Sequence, residues 1–375
     1  MLAGTPHENL TDARDRPQPL FVSYDSSRSW TSLTERSEYE PDHNWIDEIG
    51  LTDFFDKAAS GPAGVIAEPR WFYKHGNVQT ELGKAMFQET RPLVDLANSE
   101  LSSSFFFFSS PGSTASTHCD TLHNYYLQLH GRKRWRIFPP QAILDNLYTH
   151  AEHHPRHTVS QVIGDIVSRS HDPAVLQQFP GLAGLQGWEV EMAEGDLLYV
   201  PPYFSHHVTA LDTSISMYAW GEITEEADLK SIESTGLPIL HNWDMDAAIH
   251  GILAYAFHLA TEVAGLSISE VTEQWRRRYA HTKRHQEHAF ETAGVNSNRI
   301  LQACSHASTS TPVDNGLAAY ISRVSEVVDR VEAASPSGVK AIQTILVLDH
   351  VERVVAATFG PFATAVFFRT CVLEK

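Results

Sequence analysis

Three side chains stand out first by type and spacing. Thr117-His118-Cys119-Asp120 lies directly before an aromatic run from Asn124 to Gly131. On an extended segment, side chains two apart point the same way. His118 and Asp120 can therefore offer an imidazole and a carboxylate to one ion. His-X-Asp says little by itself in a chain with 21 histidines. A further ligand has to come from elsewhere. Gly195 to Pro202 leads through Tyr203 and Phe204 into Ser205-His206-His207-Val208. Adjacent histidines on extended chain face opposite sides, so one of the two reaches the ion, and parity across the Pro201-Pro202 turn does not say which. Two histidines and a carboxylate with open positions form the facial triad of non-haem iron(II) oxygenases. Zinc prefers a closed set of His and Cys, and Cys119 points away by alternation.

These residues need strands to hold them. LFVSY (20–24), GVIAE (64–68), SFFFFS (104–109), NYYLQLHG (124–131), RWRIFPP (134–140), WEVEM (188–192), DLLYVPP (196–202) and SISMYAW (214–220) are short and rich in aromatic or β-branched residues. Pro111-Gly112, Gly131, Pro139-Pro140, Gly195 and Pro201-Pro202 punctuate them. The pattern predicts a sandwich or barrel. Asn124, Tyr126 and Gln128 share one face of their strand, an unusually polar set. Residues 141–187 read as a polar, His-rich insert with one or two helices. Beyond Glu222 the period changes. Leu317, Tyr320, Ile321, Val324, Val327, Val328 and Val331 recur at helical spacing, as do Ile342, Ile345, Leu346, Val351, Val354 and Val355. Residues 245–263 and 267–290 are also helical by pattern, and 305–311 is a loop. The expected division is a loose lead-in over 1–18, a β domain over 19–235 and a helical domain over 236–375.

Composition narrows the function classes. A formal charge of −18 opposes binding to a phosphate backbone. A basic peptide or a small molecule is the easier partner. Arg276-Arg277-Arg278 with Lys283 and Arg284 reads as a solvated helix face rather than a nucleic-acid patch. No apolar run has the length of a membrane span, and the first residues have no signal-peptide pattern. Three distant cysteines, Cys119, Cys304 and Cys371, argue against a disulfide framework, which makes a cytoplasmic location the expectation.

The ordered string His118-X-Asp120, Asn124, Gln128, Gly131-X-Lys133-X-Trp135, Phe138-Pro139-Pro140 resembles the cupin-type JmjC hydroxylases. So does Gly195-Asp196 followed by Tyr199-X-Pro201, Tyr203 and His206-His207-Val208. The likeness is greatest to the asparaginyl hydroxylases that act on hypoxia-inducible factor. It runs on through Leu147-Tyr148, His153-His154-Pro155, Ser160-Gln161-Val162 and Phe179-Pro180. The resemblance implies a mainly β double-stranded β-helix (cupin, or jelly-roll, of JmjC type) with an all-helical C-terminal region. It also implies iron(II) held by His118, Asp120 and His206, with 2-oxoglutarate and O2 as co-substrates. Lys133 falls where the family's lysine pairs with the distal carboxylate of 2-oxoglutarate. Asn124, Tyr126 and Trp220 fall around the same pocket, and Tyr73 could add a hydroxyl beside Lys133.

The sequence also departs from the family. Ala115 replaces a threonine that contacts the co-substrate, with Thr114 or Ser116 as substitutes. Phe204-Ser205 replaces paired tryptophans, and Tyr218 replaces an asparagine. The implied reaction is hydroxylation of a protein or peptide side chain, with release of succinate and CO2. A small molecule or peptide natural product is the alternative substrate. Lysine demethylation ranks lower, with no reader domain beside the core. A metal-binding cupin scaffold without turnover is the other class, and Lys133 speaks against it. The apolar helical stripes can serve a homodimer or an intramolecular bundle.

Overall fold

A computed structural model describes residues 18–23, 29–30, 44–49, 71–97, 104–152, 157–162, 165–237, 245–279, 302, 304, 315–331 and 336–373. The expected strand 64–68, the loop 305–311, residues 280–290 and nearly all of the lead-in lie outside these. The chain forms two compact units, one from residues 1–139 and 162–223, the other from 140–161 and 224–375. The helical part thus begins at Thr224 rather than near 235, and it takes the first half of the expected insert.

The first unit has twelve described strands: β1 (Gln18–Ser23), β2 (Ser29–Trp30), β3 (Asn44–Ile49), β4 (Trp71–Asn77), β5 (Ser104–Ser109), β6 (Thr114–Cys119), β7 (His123–His130), β8 (Lys133–Phe138), β9 (Trp188–Met192), β10 (Leu197–Val200), β11 (Ser205–Ala210) and β12 (Ser214–Gly221). They form a seven-stranded sheet in the order β10-β7-β12-β5-β4-β1-β3 and a five-stranded sheet in the order β2-β6-β11-β8-β9. Pairing is antiparallel except between β2 and β6. This is the jelly-roll arrangement expected from the sequence.

Alternation sorts the side chains into two layers. In the run of four phenylalanines on β5, Phe106 and Phe108 pack with Met217 and Ala219 of β12 beneath helix α1 (Lys84–Leu96), against its Phe87, Leu93 and Val94. Burying each large side chain there contributes about 1.5–3 kcal/mol. The sequence pattern missed α1, whose apolar face is narrow and which carries Pro92 inside it. Phe105 and Phe107 turn the other way. They join Tyr126, Tyr218, Trp220 and Leu198 of their own sheet and Trp135, Met192 and Val208 of the second. The space between the sheets is therefore an aromatic cup. Turn chemistry closes the β7–β8 hairpin: Gly131 has φ of 68°, and a Cβ there would lie 2.3 Å from the carbonyl oxygen of Thr213.

The second unit contains α2 (Thr224–Ser234), α3 (Met245–His258), α4 (Ile268–Tyr279), α5 (Asn315–Val328) and α6 (Pro336–Phe359). Leu317, Tyr320, Val324 and Val328 on α5 and Ile345, Leu346, Val351 and Val355 on α6 are buried within the chain, which is the intramolecular use of those stripes. The basic run on α4 departs from the solvated face read from sequence. Arg276 pairs with Glu273, Arg277 donates to the carbonyls of Leu144 and Asp145, and Arg278 is buried against Asp349 and Glu352. Cys304 and Cys371 form a disulfide with their Cα atoms 4.8 Å apart, against the expectation of none. They lie 67 residues apart, so no spacing signature announced the pair. Among the described residues no single helix is long and apolar enough to cross a membrane.

Candidate metal centre

The second sheet brings the expected ligands together by register. His118 on β6 pairs directly with His206 on β11. β6 has one extra residue between the pairs His118–His206 and Ala115–Val208, a bulge of the kind that re-aims side chains beside sites. Asp120 follows the end of β6, and its carbonyl accepts the amide of Tyr203 at 2.8 Å. Tyr203 is buried with φ of 63°, a left-handed conformation costly for an aromatic residue. That turn sets the entry into β11, which is why parity could not be read across the two prolines. One ligand atom from each of His118, Asp120 and His206 lies within 4.8 Å of the others.

Neighbouring groups orient each ligand. His118 Nδ1 is 2.6 Å from the carbonyl of Ser116, and His206 Nδ1 is 3.1 Å from that of Phe204. Each imidazole donates from Nδ1 to the carbonyl two residues earlier, which leaves Nε2 free to serve as a metal ligand. Asn124 Nδ2 donates to Asp120 Oδ2 at 2.8 Å. Burial, then the neighbouring His118, lowers the pKa of His206 to about 4, which keeps it in the neutral, ligating form. His207 faces the other way. It pairs with Arg136, whose guanidinium binds Asp165, and both its ring nitrogens are buried without a partner. His206, not His207, thus lies with His118 and Asp120.

Lys133 stands in the same cup and is 3% exposed. Its Nζ donates to Tyr126 Oη at 2.8 Å and Ser216 Oγ at 2.9 Å and lies over the rings of Phe107 and Tyr126. No carboxylate among the described residues pairs with it, and burial lowers its pKa to about 7. Trp135 fills the space between lysine and triad, its ring 4.6 Å from that of Tyr126 and 5.2 Å from that of His206. Asn124 and Trp220 are register partners near the triad, and Asn124 Oδ1 and Trp220 Nε1 are buried without partners. Tyr73 belongs to the same wall, its ring 5.4 Å from that of Phe107, while the hydroxyls shown bonding Lys133 are those of Tyr126 and Ser216.

Residues 46–224 match the family described as the cupin-like domain. That stretch, which is just under half of the chain and holds most of the β unit, is similar to a cupin-like domain. Over 121 residues the chain is 31% identical to lysine-specific demethylase JMJ30 of Arabidopsis thaliana, covering 32% of this chain and 26% of that protein. It is 30% identical over 125 residues to HSPB1-associated protein 1 of Homo sapiens, with 33% and 24% covered. It is 30% identical over 126 residues to tRNA wybutosine-synthesizing protein 5 of Danio rerio, with 33% and 35% covered. The chain spans a quarter to a third of the length of these relatives. The X-ray structure of E. coli ycfD aligns over 83% of this chain and 66% of that one, at 15% identity and a TM-score of 0.34.

Within the β unit the polar face of β7 divides its work. Asn124 steadies Asp120 and Tyr126 meets Lys133. Gln128 Nε2 donates to the carbonyls of His130 and Gly131, which makes it a hairpin residue. Sequence reasoning missed Ser216 and His75. Ser214, Ser216, Tyr218 and Trp220 occupy one face of β12, the same polar and aromatic alternation that marked β7, and that signal could have found Ser216. Nothing in the sequence paired His75 with Tyr218, because they come from strands 143 residues apart.

Proposed function

We propose that this protein is an iron(II)- and 2-oxoglutarate-dependent dioxygenase that hydroxylates an unactivated C–H bond of a protein or peptide side chain. The observation that carries the reading is Lys133, an ammonium buried without a counter-charge in the cup that holds the triad. Such a group is costly unless an anion joins it, and two hydroxyls already stand around it as further ligands for a carboxylate. The triad's donor set, two imidazoles and one carboxylate, suits iron(II) with positions left for other ligands. Asn124 Oδ1 and Trp220 Nε1 supply two more unmet polar groups close by.

His118, Asp120 and His206 would hold the iron, and Lys133, Tyr126 and Ser216 the distal carboxylate of 2-oxoglutarate. Iron with 2-oxoglutarate supplies O2 activation, with decarboxylation to succinate and CO2 and transfer of one oxygen atom to carbon. The chain's own part is positioning. Two backbone carbonyls fix the imidazole tautomers and Asn124 fixes the carboxylate. Trp135 and the Phe105, Phe107 and Tyr218 rings keep water from the space between. A protein or peptide substrate is favoured by the likeness to asparaginyl hydroxylases and by the acidic chain, which suits a basic segment. A small molecule is the second reading, favoured by Tyr218, whose buried ring stands in the cup where the family resemblance places an asparagine.

The test is anaerobic addition of iron(II) and 2-oxoglutarate. A metal-to-ligand charge-transfer absorption should form, and be absent from His206→Ala. Succinate release on admitting O2 then separates an enzyme from a metal-binding scaffold. No absorption with the wild-type protein would falsify the reading.

A further inference from the structure

Tyr218 sits in the middle of the cup and is 2% exposed, with its hydroxyl 2.6 Å from His75 Nε2. Burial lowers the pKa of His75 to about 4 and raises that of Tyr218 well above the ordinary phenol value. The imidazole is therefore neutral, and in the tautomer that carries its proton on Nδ1 its Nε2 accepts from the phenol. The pair is enclosed by rings. Phe105 and Phe107 stack on Tyr218 at 5.1 and 4.9 Å, and Phe107 stacks on His75 at 4.9 Å.

Tyr218 is also part of an unbroken series of oxidisable side chains that starts at a metal ligand. Ring centroids are 5.2 Å apart from His206 to Trp135, 4.6 Å to Tyr126, 6.4 Å to Tyr218 and 4.9 Å to Trp220, which is partly exposed. Electrons tunnel readily between rings so close. A phenol gives up an electron easily only if its proton leaves too, since the oxidised phenol is a very strong acid. A hydrogen-bonded neutral base therefore distinguishes a redox-active tyrosine from one that only packs. Tyr126 fails that criterion: its hydroxyl meets the Lys133 ammonium and Ser216. Tyr218 meets it.

We propose that Tyr218 and His75 form a proton-coupled electron donor to the metal centre, acting when O2 has oxidised that centre and no substrate C–H bond is in reach. The proposal rests on the oxygenase reading above, which supplies the oxidant: O2 acting through the iron, with 2-oxoglutarate as co-reductant. In the step one electron passes from Tyr218 through Tyr126 and Trp135 to the metal centre, which is reduced by one electron. The phenolic O–H bond breaks and an N–H bond forms at His75 Nε2, leaving a neutral phenoxyl radical and an imidazolium. A small external reductant such as a thiol or ascorbate reverses this through Trp220, and the proton returns from Nε2. The device would keep unproductive oxidation from damaging the ligands.

The experiment uses the full chain, loaded anaerobically with iron(II) and 2-oxoglutarate, checked for the charge-transfer absorption, mixed with O2 without other substrate, and frozen for electron paramagnetic resonance. A phenoxyl signal sensitive to solvent deuteration is expected, lost in Tyr218→Phe. It should also be lost in His75→Gln, which keeps a hydrogen bond but is no base, and which serves if Tyr218→Phe folds badly. Absorption without a radical in the wild type overturns the relay and leaves the oxygenase reading intact. A radical unchanged in either variant also overturns it. Absence of the absorption itself overturns the oxygenase reading and the relay with it.

Discussion

The cup between the sheets and the centre of the helical unit both bury charge, and they treat it in opposite ways. In the helical unit Arg278 binds Asp349 at 2.6 Å and Glu352 at 2.9 Å, and Arg353 binds Glu152 and Glu233 at 2.9 Å. Glu233 also meets His350, whose other nitrogen meets Tyr255. Burial pulls the arginine pKa values down, but the surrounding carboxylates more than offset it and raise them. Glu152 behaves otherwise: burial, with Asp349 close by, lifts its pKa to about 7 although Arg353 is bonded to it. Nearly every charge in this network has its partner inside the fold. Lys133 has two hydroxyls and no counter-charge. A buried network closed on itself determines structure, while an open one marks the place where something from outside completes it.

The largest expected effect tests the closed side. Arg278→Met leaves Asp349 and Glu352 as buried carboxylates without their guanidinium. Breaking a buried pair by removing one partner costs about 3–5 kcal/mol. The urea midpoint of the full chain should fall accordingly, and the double variant with Glu352→Gln should recover part of the loss. A midpoint within error of wild type would show that these charges are solvated, and the contrast with the cup would collapse.

Lys133→Met should do the reverse. Without ligand the variant is expected to be at least as stable as wild type, because it removes an uncompensated charge. Its affinity for 2-oxoglutarate should fall on the order of 10²-fold, since losing one partner of a buried charge pair costs about 2–5 kcal/mol. The pH dependence has a definite sign. Lys133 titrates at about 7 in the fold and near 10.5 when unfolded, so between these values the unfolded chain holds the extra proton. Wild-type stability should therefore gain from this group as pH rises from 7 towards 10, relative to Lys133→Met. Saturating 2-oxoglutarate should flatten the difference by restoring the ammonium's partner. Thermal melts with and without ligand at several pH values would show it, and parallel curves for the two proteins would remove Lys133 from the account.

Much of this contrast was legible in the residues, and the illegible part has physical causes. The β region, the helical region and the His118–Asp120 pair follow from alternation and period, while the choice of His206 over His207 came only from the family resemblance. Ser216 lies on a readable polar and aromatic face of β12, but local pattern is silent about register between distant strands, so nothing local tied His75 to Tyr218 in the cup. Local pattern is equally silent about long-range charge pairing. Arg278 looks like solvated charge because its carboxylate partners on α6 lie more than 70 residues away. The disulfide between Cys304 and Cys371 escaped for the same reason.

His207 sharpens the comparison most finely, because it too is buried with unmet polar atoms. The difference lies in charge. Burial lowers the His207 pKa to about 4, so at neutral pH the ring carries none, whereas Lys133 is still largely ammonium below pH 7. An unpaired neutral group costs only about 1–3 kcal/mol, and exchanging it for an apolar one of similar size is close to neutral or stabilising. His207→Leu should therefore shift stability by no more than about 1 kcal/mol, in either direction. It should leave iron(II) binding intact, while His206→Ala, one residue away on the opposite face, abolishes it. If His207→Leu instead weakened iron binding as strongly as His206→Ala, unmet hydrogen bonds alone would be enough to mark a ligand site, and charge would lose the deciding role given to it in Lys133.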